Sequence, residues 1–385
     1  MSMRKVICHG ILFSLLGGAL LSGAAQATAY NVDPNASTVK LRTSCIEGSA
    51  PSVTLNNCFD DTQDLIDWIS YERLPGPANP LVVEIGPGTF SAFALNCVTG
   101  NGTTNSPLVT VFPGYVSFRG MGVKQTIFQT DFPNSQMSLA FKGCNNMSFS
   151  DFAFNGFGYA YIAWDRGGSS TWNNVEVNGR FYAWREESCA ATPGSHYWFS
   201  SRLISTIADS GGQTAYLAKC DNSWFFGSEI TLAGGSGSVI NTNREVHVYG
   251  SVIRALTTFN ATAAYAYGSG EIHLHGTGID MLSTAASNFV ALHAQNTARI
   301  HADSSAYNLS TGAGGSITRI LDQTTSGHGV HAPYLWHGHD TPPSIITENG
   351  ADVAVVNDPT GPRFVIYNSA CSSKWYDVGN NACRP

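Results

Sequence analysis

The chain has 385 residues, with 20 Lys and Arg against 27 Asp and Glu and a net charge of −7. That balance argues against nucleic acid or an anionic membrane as the main partner. Charged residues are 12% of the chain and glycines number 40, against roughly 25% charged in an average soluble protein, which favours a turn-rich all-β protein.

Residues 1–27 read as a secretory signal peptide. Arg4 and Lys5 precede the short apolar run 11–21, and Ala25-Gln26-Ala27 fits a small-residue cleavage site. The run falls well short of the roughly 20 residues of a spanning helix, so no membrane span is expected. The product is an exported protein, secreted or periplasmic. Cys8 lies in the leader, which leaves Cys45, Cys58, Cys97, Cys144, Cys189, Cys220, Cys371 and Cys383. An even set in an exported chain predicts disulfides. Short separations favour Cys45–Cys58 and Cys371–Cys383, then Cys97–Cys144 and Cys189–Cys220. There is no CxxC and no Cys/His zinc spacing, so no metal site is expected.

Residues 28–80 form a lead-in. Within it, "DDTQDLIDWI" (60–69) pairs Asp caps with Leu65, Ile66, Trp68 and Ile69 at helical spacing. "LVVEIGPGTF" (81–90) reads as a buried strand ended by Gly-Pro-Gly. From 81 to 345 the sequence repeats. Gly227-Ser-Glu-Ile230 returns as Gly250-Ser-Val-Ile253 and Gly276-Thr-Gly-Ile279. "EVHVY" (245–249), "EIHLH" (271–275) and "TARIHA" (297–302) form a second series. "FSDFAFNG" (149–156) matches "WNNVEVNG" (172–179), and "WFSSRLI" (198–204) matches "WFFGSEI" (224–230). Short strands at a 23–26-residue period, with no helical pattern between them, predict a solenoid with one coil per repeat. Its inward residues stack as Val246/Ile272/Ala298 and Val248/Leu274/Ile300. The helix at 60–69 is expected to cover the open end, and residues 346–385 to form a C-terminal cap stapled by Cys371–Cys383.

"DDTQ" with its apolar helix, "VVEIGPGTF" and "VSFRGMGVKQTIF" (116–128) resemble the opening of right-handed parallel β-helix proteins of the pectin-lyase-like superfamily. The likeness spans about residues 58–340. It implies the fold far more specifically than the activity, because that superfamily holds polysaccharide lyases, glycoside hydrolases, pectin esterases, tailspikes and adhesins.

If the core residues point inward, their neighbours form outer rows. One expected row is Trp172, Trp198, Trp224, His247, His273 and Arg299. Flanking it are Glu245, Glu271 and Thr297 on one side, and Tyr249, His275 and His301 on the other. Stacked aromatics with polar edges suit the apolar faces of sugar rings. Trp172, Trp198, Trp224, Tyr249, His275 and Arg299 are therefore candidate glycan contacts. The same ladder would also stabilise the solenoid whatever it binds.

Glu245 and Glu271 on adjacent coils, with His247 and His273 beside them and Glu229 nearby, are candidate acid–base groups. "GRFYAWREESCAATPGSHYW" (179–198) breaks the strand pattern and carries Arg180, Arg185, Glu186, Glu187 and His196. Arg180, Arg185 and Glu187 are candidates there; a uronate lyase would need an Arg or a calcium ion to neutralise the carboxylate. No cofactor is required by the sequence otherwise. "SGHG" (326–329) matches part of a polygalacturonase-type pattern, but the upstream Asp residues are missing, and it reads as a turn. The expectation is a protein that binds, and in one version cleaves, an extracellular polysaccharide along the side of the solenoid. The alternative is a non-catalytic structural or adhesin-like protein. Oligomeric state is left open.

Overall fold

The structure, a computed structural model, describes residues 32–45, 57–99, 112–129, 144–156, 168–186, 193–206, 212–303, 305–324 and 328–331. It also describes short strands at 109–110, 139–142, 345–347, 353–356, 364–367, 375–377 and 382–383. The expected leader, residues 1–27, and Glu187, Cys189 and Cys371 lie outside these residues. Among the described residues, no helix is long and apolar enough to cross a membrane.

The fold is the expected parallel β-helix. Each regular coil lays one strand on each of three faces. On the front face, Ser195–Phe199, Asn222–Phe226, Glu245–Tyr249, Glu271–His275, Arg299–Asp303 and Gly329–His331 pair in parallel, one coil on the next. On the side face, Arg202–Ser205, Glu229–Leu232, Val252–Leu256, Gly278–Leu282 and Ala306–Ser310 do the same. On the back face the succession is Gly212–Ala218, Ser236–Thr242, Ala261–Ala266, Asn288–Asn296 and Ser316–Thr324.

Strand pleating sends alternate side chains into the interior. Val246 and Val248 stack on Ile272 and Leu274, and these on Ile300 and Ala302, all fully buried. The expected partners Ala298 and Ile300 are displaced by two positions. The extra residues fall between the side and back strands: Leu282 and Phe289 are farther apart in sequence than Leu256 and Ala261, the residues they pair with on the preceding coil. Ala298 is buried, but ahead of the strand.

The tryptophan row needs a larger correction. Trp172 pairs with Trp198, but Trp198 pairs with Phe225 rather than Trp224. This coil is one residue longer than the 26-residue spacing implies, and one residue reverses which side faces in. Trp172 and Trp198 are 0% exposed. They belong to an interior column, Phe149–Trp172–Trp198–Phe225, with stacked ring centroids 4.0, 4.8 and 5.9 Å apart. Neither can touch a glycan.

The repeated Gly-Ser/Thr pairs sit at the corner between front and side strands. Asp151, Asn174, Ser200, Gly227, Gly250 and Gly276 all take left-handed φ values there, between 47° and 63°. Glycine is the residue least penalised in this conformation. From Ser200 onward the next residue, Ser201, Ser228, Ser251 or Thr277, carries a buried hydroxyl. The backbone N–H of Val175 donates to Ser201 Oγ (3.2 Å), that of Ser201 to Ser228 Oγ (3.2 Å) and that of Ser228 to Ser251 Oγ (2.9 Å). Each bend would otherwise leave a buried donor unpaired.

At the start, the helix Thr62–Trp68 is capped by Asp61, whose carboxylate accepts from the N–H groups of Gln63 and Asp64. Leu65, Ile66, Trp68 and Ile69 join the same core as Val83 and Phe93. At the far end, Val353–Val356 pairs in parallel with the front face. Phe364–Tyr367, Trp375–Asp377 and Ala382–Cys383 then continue as an antiparallel meander. Cys45–Cys58 and Cys97–Cys144 are bonded as expected, and Cys220 is also in a disulfide. The expected pairings to Cys189 and Cys371 involve residues outside the described set.

Nothing lies within 4 Å of where a Cβ on Gly250 would stand. Gly250→Ala therefore isolates the conformational cost of the corner, about 1–2 kcal/mol. Urea unfolding should show a loss of that size, with the far-ultraviolet circular dichroism of the folded state unchanged.

Candidate functional site

The front face presents three parallel columns outward. The central one runs Tyr197, Trp224, His247, His273, His301, with stacked ring centroids 5.0, 5.6, 4.4 and 4.9 Å apart. Beside it stand Phe199, Phe226, Tyr249 and His275, stacked at 5.0, 5.1 and 4.8 Å, with Asp303 next in register. The third column is Ser195, Asn222, Glu245, Glu271, Arg299. The plate grades from apolar rings to imidazoles and carboxylates along the axis. Its apolar end is open: Tyr197 and Phe199 are each 37% exposed.

Trp224, Tyr249 and His275 thus meet on one surface with His247, His273, Glu245 and Glu271. Arg299 is there too, but in the glutamate column rather than after His273. The longer coil puts it beside Glu271, with Nη1 3.8 Å from Oε1, and makes His301 the ring that follows His273. Tyr197, Phe199 and Phe226 were not singled out from sequence. Aligning "YWF" (197–199) with "WFF" (224–226), instead of matching Trp198 to Trp224, would have found them.

The two glutamates avoid mutual repulsion by taking different partners. Glu245 Oε1 is 2.7 Å from His247 Nε2, and Glu271 Oε1 is 3.6 Å from His301 Nε2. A carboxylate only accepts, so His247 Nε2 carries the proton in that bond. Its Nδ1 is then free to accept from the Tyr249 hydroxyl at 3.2 Å. Tyr249, His247 and Glu245 form a directed proton chain across the plate. Burial first, then the neighbouring His247 and His301, hold the His273 imidazole below its ordinary pKa, against the pull of Glu271 and Glu245.

Glu229 faces away from this plate. It lies on the side face in a chain of alternating charges: Glu176, Arg202, Glu229, Arg254, Asp280. The links measure 2.8, 3.2, 2.7 and 3.3 Å. Partial burial pushes the Glu229 carboxyl up, but the Thr231 hydroxyl, Arg202 and Arg254 more than reverse this and leave it below its ordinary value. Its geometry is that of an ion-pair hub. Arg185 belongs to the back face, paired with Leu217, and its guanidinium lies 4.9 Å from the Tyr182 ring centroid. Arg180, beyond the side strand, lies 5.7 Å from the Phe181 ring centroid. The structure does not bring either arginine to the histidines.

Glu186 and His196, from the irregular 179–198 segment, meet a residue the sequence reading missed, Asp221. His196 Nε2 is 3.2 Å from Asp221 Oδ2, and Nδ1 is 2.7 Å from Ser170 Oγ. Trp172 Nε1–H donates to the same hydroxyl, and Trp184 Nε1–H donates to Glu186. The other Glu186 oxygen accepts the backbone N–H groups of Lys219, Cys220 and Asp221. Burial raises the Glu186 pKa against the opposing charge of His196. A serine, a histidine and an aspartate in a line invite comparison with a hydrolytic triad. Ser170 is 3% exposed, and His196, Asp221 and Glu186 are at 0%. The network ties three coils together inside the wall.

A groove of about 660 Å³ lies at the corner after the side strands, between Leu256, Phe259, Leu282 and Ser310. Among the described residues, no ionisable side chain lines it.

No protein-family model matches the chain, and no curated protein does. Among solved structures it is similar to the A-module of the Azotobacter vinelandii mannuronan C-5 epimerase AlgE4. The identity is 12%, the TM-score 0.37, and the match covers 76% of this chain and 91% of that one. The A-module of AlgE6 from the same organism gives 11% identity, a TM-score of 0.34 and coverage of 77% and 96%.

The side-face chain predicts an acid-sensitive stability term. Because the folded Glu229 carboxyl titrates below its reference value of 4.5, its contribution is full above that pH and is lost as pH falls through it. Glu229→Gln should lower stability at neutral pH by about 1 kcal/mol or less. It should also flatten the fall in melting temperature below pH 4.5.

Proposed function

We infer that the front plate binds an extracellular polysaccharide lying along the solenoid axis. The observation that carries this is the pair of outward aromatic columns from Tyr197 and Phe199 to Tyr249. The rings recur once per coil, at the roughly 4.8 Å separation of neighbouring strands; stacked face to face, they turn their edges outward and give a ligand a ridged apolar surface along the axis. Asn222, Glu245 and the histidines stand alongside as hydrogen-bonding partners for hydroxyl groups.

The charges on the plate select among glycans. Among the described residues from Ser195 to Asp303 on this face, Glu245, Glu271 and Asp303 face one permanent cation, Arg299, so a polymer dense in uronate carboxylates would be repelled there. A neutral glycan is the favoured ligand. Cleavage is the finer part of the reading. Hydrolysis needs two carboxyl groups flanking the scissile bond, whereas Glu245 and Glu271 project side by side from one flat surface. The Tyr249–His247–Glu245 chain could instead remove a proton, as an elimination requires. Binding is therefore the function the geometry supports best. Oxidised cysteines are compatible with an exported protein.

The test is titration of the protein with soluble neutral and uronate-rich polysaccharides, following tryptophan fluorescence, new reducing ends and the ultraviolet absorbance of unsaturated sugar ends. Neutral glycans should perturb the fluorescence, and Trp224→Ala should weaken their binding by about tenfold or more, a cost of about 1.4 kcal/mol, with little loss of stability. Trp198→Ala should do the reverse in kind, destabilising the fold by about 3–5 kcal/mol. Absorbance growth would add elimination to the function. No binding across the panel would leave the plate as a structural ladder.

A further inference from the structure

The front plate also holds a cluster that sequence spacing concealed. His273 and His275 are two apart on one strand, so both rings leave the same face of the sheet. His247 stands next to His273 on the preceding coil. The ligating nitrogens of the three lie within 4.8 Å of one another. Their side chains are 14% (His247), 21% (His273) and 36% (His275) exposed. They are open enough for an ion to enter and held closely enough to share one.

We propose that His247, His273 and His275 form a surface site for a divalent transition metal, with zinc as the reference ion. Three imidazoles from two neighbouring strands, with the remaining position facing solvent, match the donor set of an open zinc site. Two Zn–N bonds of about 2.1 Å bridge at most about 4.2 Å, so binding would turn the rings about χ2 out of their parallel stack until the donor atoms converge. The surrounding bonds favour this. Glu245 holds His247 Nε2–H at 2.7 Å, which presents Nδ1 as the ligand atom in the carboxylate–histidine–metal arrangement. The Tyr249 hydroxyl now lies 3.2 Å from that nitrogen and would give way to the ion. Glu271 Oε2, 4.0 Å from His273 Nε2, is placed to orient the second ring. Nitrogen donors at this spacing favour zinc, copper or nickel over calcium or magnesium.

The other three-ligand group among the described residues, Glu186, His196 and Asp221, is committed to hydrogen bonds within the wall and offers no comparable opening. The proposal stands apart from glycan binding, and its test contains no glycan.

The experiment is calorimetric titration of the chelator-treated full chain with ZnCl₂, paralleled by Co²⁺ and its visible absorption. Wild-type protein should take up a single tight equivalent. His273→Ala and His275→Ala should each weaken it by more than about 100-fold, beyond the 10–100-fold typical of losing an outer-shell partner, and Glu245→Gln should fall within that range. His273→Gln keeps a polar side chain without the imidazole; it should behave like His273→Ala and guards against a folding artefact, checked by melting temperature. His301→Ala should bind normally. Absence of tight binding by the wild type would overturn the site. So would binding that survives His273→Gln but disappears in the double variant H337A/H339A, which removes late histidines outside this cluster.

Discussion

Everything on this protein's surface follows from one constraint, the residue-for-residue stacking of identical strand positions on successive coils. A parallel β-helix sets each front strand about 4.8 Å from the next, so a side chain chosen once is repeated against its own kind. Inside, this produces the buried column from Phe149 to Phe225. Outside, it produces rings stacked from Tyr197 to His301. The two columns obey the same geometry and differ only in which way the pleat points. Like charges are the hazard of such an arrangement, and the chain meets it in two ways. On the side face acids and bases alternate from Glu176 to Asp280. On the front face adjacent glutamates turn to separate histidines.

The corner between front and side strands lets this stacking persist. A left-handed residue followed by a buried hydroxyl turns the chain and satisfies a backbone donor of the coil before. Because the turn is built the same way each time, differences in coil length are absorbed elsewhere. The extra residue between Trp198 and Phe225, and the two before Arg299, fall in the path from the side strand back to the front. The plate therefore stays in register while the perimeter varies.

This explains what could and could not be read from the chain. The solenoid, its Gly-Ser/Thr corner and the inward Val246, Val248, Ile272 and Leu274 were legible, since strand periodicity and a repeated corner are local features. The facing of the tryptophans was not. Three tryptophans at a constant 26-residue interval look equivalent, yet a 27-residue coil separates Trp198 from its partner Phe225. A side-chain period of two turns that single residue into an inversion. Arg299 was misplaced in its row for a related reason, although a shift of two preserves its outward facing. The histidine trio was invisible as a metal pattern because one donor arrives from the coil before, at a distance that no fixed motif records. The buried Asp221 carries no signal of its own, since its role depends on which coil lies beneath Glu186 and His196.

The gradient along the plate gives the two ends different chemistry without any change of scaffold. At the Tyr197 end, the rings can offer a ligand area and shape; they bring no charge. At the His273 end, burial together with the flanking histidines holds the His273 imidazole below its ordinary pKa. A neutral imidazole still has a lone pair to give. Such a surface has more to offer a metal ion or a sugar hydroxyl than an anionic polymer. The same carboxylates that would repel uronates, Glu245 and Glu271, are those that orient the histidines. In the proposed reading, selectivity against charged glycans and readiness for a cation would be two consequences of one placement of acids.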